Sequence, residues 1–404
     1  MIAQEKTLSA LPLHLGMPAQ SLADAVKTFT DDLIVPSEPV LAQGDAQAAA
    51  KMAELAHTAR EAGLWGLFYP ADHGGKIASL AEYLPVAEQE GRSEYGPAIF
   101  GSRTTLDVHM LRRHGSAAVR ERFLTPLVEG SGIGAYGMSE PDAAGSVPAT
   151  MQTRAELTSG KWIVEGRKWY ISRAAQATFV TVVARTRQEA APEHAFSMIV
   201  VPTDAAGFRI EREMPVLGRL QGQCELSFDQ VSVPESYVLG QRDRGLDLMQ
   251  ERLALGRTLN AIHWVGLAQR CFDLMCGRIC SPRGALARLP DKQLVRQHVF
   301  QAHQAIASAR CLVRLAAVSV DQQERSEVAV NMAKVAASQA LHVAADSAIQ
   351  IFGAEGLGDE TPLSGIYRMA RATRILDGAD EVLINHIGKQ LLQAYAESKS
   401  ETAQ

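Results

Sequence analysis

The sequence is poor in cysteine and in aromatic residues, which argues against a small protein held together by disulfides. Aromatic residues make up 6% of the 404 positions, and the five cysteines are Cys224, Cys271, Cys276, Cys280 and Cys311. An odd, scattered set of cysteines is not the pattern of a disulfide framework, so it indicates a reducing, cytoplasmic environment. Cys276 and Cys280 are one helical turn apart, but no further ligand follows nearby, so no metal site is predicted.

Runs of one charge sign and long apolar runs are also missing. The chain carries 40 Lys and Arg against 45 Asp and Glu, for a formal charge of −5. This balance argues against a nucleic-acid-binding protein and against a polybasic membrane patch. No apolar run approaches the roughly 18 residues that a membrane span needs. The opening segment "MIAQEKTLSALPLHLGMPAQ" has no basic region followed by an apolar core, so we expect neither a signal peptide nor a transit peptide.

The periodicity of the sequence changes twice along the chain. The first part contains helical stretches such as "AQAAAKMAELAHTAREAG". In the middle, β-branched and aromatic runs such as "TFVTVVART" and "FSMIVVPT" are separated by turn residues, as in an antiparallel sandwich or barrel. The last part returns to long, Ala-rich helical stretches that can pack closely, as in a bundle. We therefore predict an N-terminal helical domain, a central β domain and a C-terminal helical domain, at residues 1–131, 132–240 and 241–404.

One short segment near the C-terminus, "ATRILDGADEV" at residues 372–382, concentrates three acids in a helix-like run. Asp377, Asp380 and Glu381 could include a catalytic carboxylate, or they could form an ordinary charged helix face. Helical periodicity does not separate the two possibilities, because positions 377, 381 and 384 would share a face. From the residues alone, the choice stays open.

The segment "AYGMSEPDAAGS" at 135–146 resembles the start of the central domain in the flavin-dependent acyl-CoA dehydrogenase family. Further segments resemble that family in the same order, and the likeness covers nearly the whole chain: "GLWGLFYPADHGG", "GRKWYIS", "VSVPESYVLG", "GRTLNAIHWVGLAQR" and "QIFGAEGLGDETPLSGIYR". The resemblance implies an α+β fold with an N-terminal α-helical domain, a central antiparallel β-sandwich or barrel and a C-terminal four-helix bundle. It also implies FAD as cofactor, an acyl-CoA substrate, an electron-transferring flavoprotein as acceptor, a role in fatty-acid metabolism, and a homo-oligomer, usually a dimer of dimers.

The resemblance also implies roles for individual residues. Around the flavin ring it places Met138, Ser139, Tyr170 and Ser172, where hydrogen-bond donors make the ring more electron-accepting. At the flavin pyrophosphate, reached from a neighbouring subunit, it places Arg283, Gln350 and Gly353. Near the substrate it places Ser146, Arg257 and Gly378. The sequence departs from the family pattern at Tyr170, where many relatives have Trp, and at Leu286, Ala287 and Ala354. The alternatives to these roles are a Ser-Glu-Pro turn, an aromatic strand and a surface arginine.

For the three acids, the resemblance selects Asp377 as the catalytic base. Most relatives have Glu-Gly at this place, and "DGADEV" looks like a branch with Asp-Gly. The implied reaction removes the α-proton of an acyl-CoA with this carboxylate while the β-hydrogen leaves as hydride to flavin N5, giving a trans-2-enoyl-CoA. Aspartate reaches about 1.5 Å less far than glutamate. Asp380 and Glu381 become capping or salt-bridging residues. A flavin oxidase or monooxygenase resembling nitroalkane oxidases, and a catalytically weak binding subunit, remain as alternatives.

Overall fold

The structure, a computed structural model, describes residues 17–145, 147–323 and 326–402. Helices make up the N-terminal part: α1 (Met17–Phe29), α2 (Val35–Leu41), α3 (Ala46–Glu61), α4 (Leu80–Glu90), α5 (Gly96–Ile99), α6 (Thr105–His114), α7 (Ala117–Val119) and α8 (Thr125–Glu129). Short polar side chains start two of them. Asp45 accepts a hydrogen bond from the backbone of Ala48 at 2.9 Å, and Ser79 accepts one from Glu82 at 3.2 Å. The helical period predicted for this part therefore corresponds to capped helices.

The middle of the chain forms one eight-stranded sheet. Its strands are β1 (Gly134–Gly137), β2 (Arg154–Thr158), β3 (Lys161–Ile171), β4 (Phe179–Arg185), β5 (Phe196–Pro202), β6 (Phe208–Glu213), β7 (Cys224–Pro234) and β8 (Val238–Leu239). Seven of them follow the order β6-β7-β3-β2-β4-β5-β8, and β1 pairs with β4. Most pairs are antiparallel, but β1 and β2 both run parallel to β4. The sheet is thus mixed. A strand-like sequence pattern predicts a strand, but it does not fix the direction in which the partner strand runs.

The C-terminal part is helical again, and the predicted α+β class and order of its parts are confirmed. Its helices are α9 (Gly245–Cys280), α10 (Pro282–Leu286), α11 (Gln293–Asp321), α12 (Glu327–Phe352), α13 (Ala354–Leu357), α14 (Leu363–Thr373) and α15 (Asp380–Thr402). The long helices α9, α11 and α12 pack against one another along Ala-rich faces, and α14 and α15 pack on α12. None of the described helices is long and apolar enough to cross a membrane. The domain limits after residues 131 and 240 remain predictions.

Two hydrophobic cores hold these elements together. One lies between the sheet and helices α6 and α8. The other joins α1, α3 and α4 from the start of the chain to α9, α11, α12 and α14 from its end. Glycines bring α4 and α9 close together in this second core. A Cβ at Gly91 would lie 2.3 Å from the carbonyl oxygen of His263, and one at Gly266 would lie 1.9 Å from that of Glu88. The two ends of the chain therefore share one packed interior.

Candidate active site

Asp377 and Gly378 lie in the turn between α14 and α15, not on a helix. Their backbone φ angles are +57° and +103°. Aspartate is among the few side chains that adopt the left-handed region readily, and glycine adopts it without steric cost. A Cβ at Gly378 would also lie 3.3 Å from Nη2 of Arg257. The apolar residues Ile375 and Leu376 continue a helix-like pattern, but the backbone has already left the helix there. Position 377 therefore does not share a helix face with positions 381 and 384.

Helix α9 contacts this turn with two side chains spaced three residues apart. Arg257 donates from Nε to the backbone carbonyl of Asp377 at 2.8 Å and from Nη1 to Oδ1 of Asn331 at 2.9 Å. Asn260 donates from Nδ2 to Oδ2 of Asp377. Residues at i and i+3 share a helix face, so both groups point at the same turn. Burial lowers the pKa of Arg257, and the charge of Asp377 opposes this shift. The side chain of Arg257 is thus engaged with the turn and with α12.

Helix α12 supports the turn from the other side. Lys334 donates from Nζ to the carbonyl of Gly378 at 2.7 Å and to Oδ1 of Asp380 at 2.9 Å. Ser338 donates to the same carboxylate at 3.0 and 3.1 Å, and Arg374 donates to it from Nε at 3.1 Å. The side chains of Lys334 and Asp380 are fully buried. Burial lowers the pKa of Lys334, while the carboxylate of Asp380 opposes that shift. Asp380 is therefore a buried ion-pair partner.

The acid next along the chain is in a different environment. The side chain of Glu381 is 77% exposed and lies 3.7 Å from Nη2 of Arg374. A single solvent-exposed ion pair of this kind contributes little to the stability of the protein. Of the three acids in the segment, Asp377 alone combines a half-buried position with a place in the turn.

The residues predicted around the flavin ring are brought together at one end of the sheet. The backbone N–H of Trp169 donates to the carbonyl of Ser139 at 3.0 Å. Lys168 donates from Nζ to the carbonyl of Met138 at 2.9 Å. Next to them, Tyr170 is 49% exposed and has a φ angle of +51°, which is unusual for a bulky residue, and Ser172 is exposed. An exposed aromatic ring close to an exposed hydroxyl group fits the face of an isoalloxazine ring.

Lys168 is the buried group beneath this surface. Its ammonium also donates to Oε1 of Glu140 at 2.8 Å and to the carbonyl of Val183 at 2.9 Å. Burial lowers its pKa from 10.5 to about 8, and the negative charge of Glu140 opposes that shift. The lysine therefore ties the segment that contains Met138 and Ser139 to the interior of the sheet.

The residues predicted at the flavin pyrophosphate lie together at one end of the helical bundle. Arg283, on α10, is 69% exposed and donates to Oε2 of Glu355 at 2.8 Å. Glu355 follows two residues after Gly353, which ends α12 with a φ of +70°, and Gln350 lies exposed one turn earlier. A Cβ at Gly353 would meet no atom within 4 Å, so the backbone there is open. A planar cation beside open backbone suits a diphosphate.

In the described part of the chain, the residues predicted at the pyrophosphate have no direct polar contact with the residues predicted at the flavin ring. Within the described ranges, no hydrogen bond or ion pair joins Arg283, Gln350 or Gly353 to Met138, Ser139, Tyr170 or Ser172. Ser146, predicted near the substrate, lies outside the described residues. Three groups thus result: one at the ring surface, one at the bundle end and one at the Asp377 turn.

Reasoning from the sequence missed the side chains that support the Asp377 turn. Asn331, Lys334 and Ser338 lie at i, i+3 and i+7 of an otherwise Ala- and Val-rich helix, so they share one face. That spacing of polar residues is a usable signal for a buried polar contact. Asn260 carries the same kind of signal, since its neighbours Leu259 and Ala261 are buried. Neither signal identifies the partner, which lies far away in sequence.

A second buried charged cluster lies next to the ring surface and was also missed. Asp107 accepts hydrogen bonds from Arg173 at 3.3 Å and pairs with Arg252 at 2.9 Å. Arg173 directly follows Ser172 and has a φ of +65°. The guanidinium of Arg252 lies 4.6 Å from the centre of the ring of Tyr136. The buried hydroxyl of Tyr136 has no hydrogen-bond partner among the residues that the structure describes. The cluster fixes the strand end that carries Ser172.

Comparison with known proteins agrees with the fold. Sequence profiles of the acyl-CoA dehydrogenase N-terminal, middle and C-terminal domains match residues 18–131, 135–231 and 243–392. The fold is thus the three-part scaffold of a flavin enzyme. The chain belongs to the acyl-CoA dehydrogenase family. This membership supports FAD as the cofactor and an oxidoreductase activity.

The matches to individual relatives cover different shares of the length of each relative. The chain is 35% identical over 346 residues to a probable acyl-CoA dehydrogenase, FadE2, of Mycobacterium tuberculosis, covering 83% of this chain and 84% of that protein. It is 32% identical over 422 residues to acyl-CoA dehydrogenase family member 11 of Rattus norvegicus, covering 97% of this chain. The match spans 54% of that relative, about half its length. A solved structure of an acyl-CoA dehydrogenase-like protein from Mycobacterium abscessus superposes with a TM-score of 0.85 at 30% identity, covering 94% of this chain and 99% of that one.

Proposed function

We propose that the protein is an FAD-dependent acyl-CoA dehydrogenase that converts an acyl-CoA thioester to the trans-2-enoyl-CoA, with Asp377 as the base. The observation that carries this proposal is the turn between α14 and α15. This turn presents the carboxylate of Asp377. Arg257 donates a hydrogen bond to the backbone carbonyl of this residue, and Asn260 donates one to its side chain. A base must first be placed correctly relative to the proton that it removes. Asp-Gly at this turn takes the place of the usual Glu-Gly pair.

The other predicted residues have roles that follow from where they lie. Bound FAD would supply a two-electron acceptor for the β-hydrogen. The ring surface made by Met138, Ser139, Tyr170 and Ser172 would hold the flavin ring, and the bundle end made by Arg283, Gln350 and Gly353 would hold the pyrophosphate of a second subunit's cofactor. Gly378 lets the substrate approach the turn closely, and Ser146 stays a proposed substrate contact. For Arg257, its hydrogen bonds support a role in holding the turn.

The proposal includes the setting in which the enzyme works. We propose a homo-oligomer, usually a dimer of dimers in this family, because the resemblance implies that Arg283, Gln350 and Gly353 reach the flavin pyrophosphate of a neighbouring subunit. An electron-transferring flavoprotein is the proposed electron acceptor, and the cysteine pattern supports a reducing, cytoplasmic location.

An anaerobic reduction assay tests the proposal. Protein reconstituted with FAD is mixed with a panel of acyl-CoA thioesters, and the bleaching of the flavin absorbance is followed. We expect bleaching by at least one thioester, and a rate lower by about 10²–10⁴-fold in Asp377→Asn, the usual contribution of a general base. Asp377→Glu keeps a carboxylate and should lose less. Glu381→Gln serves as the matched control and should behave as wild type.

Three results would contradict the proposal. Bleaching of Asp377→Asn at the wild-type rate would show that Asp377 is not the base. Oxygen consumption with a non-thioester substrate, without bleaching by thioesters, would indicate a flavin oxidase or monooxygenase. A stable oligomer that retains no FAD would indicate a binding subunit.

A further inference from the structure

Asn260 holds the carboxylate of Asp377 at one oxygen only. In the described part of the chain, its amide is the one side chain that donates a hydrogen bond to this carboxylate, and the bond goes to Oδ2. Among the described residues, no side chain donates to Oδ1. A carboxylate that is fixed at one oxygen and open at the other is suited to accepting a proton from a fixed direction.

The hydrogen bond of Asn260 complements the one made by Arg257. Arg257 fixes the backbone of Asp377, and Asn260, one turn further along α9, fixes its side chain. With both ends attached to one helix, rotation about the Cα–Cβ bond of Asp377 is restricted. A short aspartate needs this restriction more than a glutamate does, because its reach to the substrate is smaller and cannot be adjusted by a further torsion.

The place of Asn260 on α9 is costly for an asparagine. The residue is half-buried between Leu259 and Ala261, which are 3% and 0% exposed. Asparagine favours the helix less than leucine or alanine, by several tenths of a kcal/mol. Its side chain makes no second hydrogen bond among the described residues. The hydrogen bond to Asp377 is therefore the contact that accounts for an asparagine at position 260.

We infer that Asn260 is a positioning residue for the base: its amide holds Asp377 so that Oδ1 faces the α-carbon of the substrate. The inference rests on the proposed function, in which Asp377 takes the α-proton. It assigns a determinant of rate, not of substrate affinity. Misplacement of a catalytic group by about 1 Å can lower the rate on the order of 10²-fold.

Three variants at position 260 separate this role from a structural one. Asn260→Ala removes the donor. Asn260→His replaces it with a ring N–H at the same number of bonds from Cβ. Asn260→Asp keeps the shape but puts a second negative charge beside Asp377. Gln269→Ala, which removes an amide from α9 at a contact with Asp273, is the matched control.

The measurement is anaerobic stopped-flow reduction of the FAD-loaded protein by an acyl-CoA that bleaches the wild type. Because a displaced base slows the step without weakening binding, we expect Asn260→Ala to lower the limiting rate by about 10- to 100-fold. The substrate concentration at half-maximal rate and the FAD content should remain unchanged. Asn260→His should recover most of the rate, and Asn260→Asp should be slower than Asn260→Ala. Gln269→Ala should match wild type.

Two results would overturn the inference. One is a wild-type rate in Asn260→Ala. The other is an equal loss in Asn260→Ala and Asn260→His with unchanged FAD content, because the donor would then be irrelevant. Asp377→Asn in the same series keeps the two proposals apart. If Asp377→Asn is inactive while Asn260→Ala is fully active, only the positioning role fails. If Asp377→Asn is fully active, the assignment of the base fails, and the role of Asn260 fails with it.

Discussion

Replacing Asp380 with asparagine tests how much the buried ion pair beside the Asp377 turn contributes to the stability of the protein. The carboxylate of Asp380 is fully buried and accepts hydrogen bonds from Lys334, Ser338 and Arg374. Asparagine keeps the shape but leaves the ammonium of Lys334 without a counter-charge. Removing one partner of a buried ion pair costs about 3–5 kcal/mol. Because Lys334 keeps its hydrogen bond to Gly378 and Arg374 is 35% exposed, the lower end, about 3 kcal/mol, is expected here.

Thermal unfolding at saturating FAD measures this loss. By the scaling for chains of 150–250 residues, a loss of about 3 kcal/mol lowers Tm by at most about 6–12 °C. The rate of flavin reduction should fall as well, since the turn loses part of its support. Glu381→Gln is the matched control in the same segment. Its side chain is 77% exposed, so a change within about 0.5 kcal/mol is expected.

A double variant tests the cause. Lys334→Met with Asp380→Leu removes both charges, and apolar replacements of a buried pair are often neutral or stabilising. Tm should then recover towards wild type. Activity should stay low, because the carbonyl of Gly378 has lost its donor. A wild-type Tm in Asp380→Asn, or an equal loss in Glu381→Gln, would refute this reasoning.

Three further predictions concern other parts of the molecule. Gly266→Ala should lower the free energy of unfolding by about 3 kcal/mol or more, measured by urea unfolding, because its Cβ would overlap a carbonyl of α4. Gly277→Ala, with open space around it on the same helix, should instead raise it by about 0.5–1 kcal/mol. Arg283→Ala should weaken FAD binding about 10- to 100-fold in fluorescence titrations, through loss of a charge-assisted contact, whereas Arg288→Ala should not. For Lys168, the folded chain releases its proton near pH 8 and the unfolded chain near 10.5, so Tm of wild type relative to Lys168→Met should rise with pH across this window.

Each of these predictions can be contradicted. Equal stability of Gly266→Ala and Gly277→Ala would show that α4 and α9 do not approach closely. Equal FAD affinity in the two arginine variants would remove Arg283 from the cofactor site. A wild-type Tm that does not rise with pH relative to Lys168→Met would mean that the buried lysine keeps its proton across this window.

The sequence predicted the elements of this fold well because each element follows local rules. Runs of β-branched and aromatic residues predicted β4 and β5, and Ala-rich stretches predicted α11 and α12. What it could not predict was the direction of strand pairing. The parallel pairing of β1 with β4 depends on the path of the whole chain between them.

The site was predictable only in part. The family resemblance selects Asp377, but the apolar residues Ile375 and Leu376 continue a helix-like pattern through a segment in which the backbone forms a turn. The turn is stabilised by Lys334 and Asn260, whose contacts lie 44 and 117 residues away in sequence. Patterns within a short window carry no information about such contacts.

The core that joins the two ends of the chain also affects the order in which parts of this protein can fold during synthesis. Helices α1, α3 and α4 leave the ribosome first, yet the surfaces that cover them belong to α9, α11 and α12. At about 5–20 residues per second, those partners follow on the order of tens of seconds later. During synthesis the sheet can pack against α6 and α8, which precede it in the chain, while the first helices keep apolar faces uncovered. A chain cut after the sheet would therefore expose these faces permanently, and chaperone binding to the nascent chain should be concentrated on its first hundred or so residues.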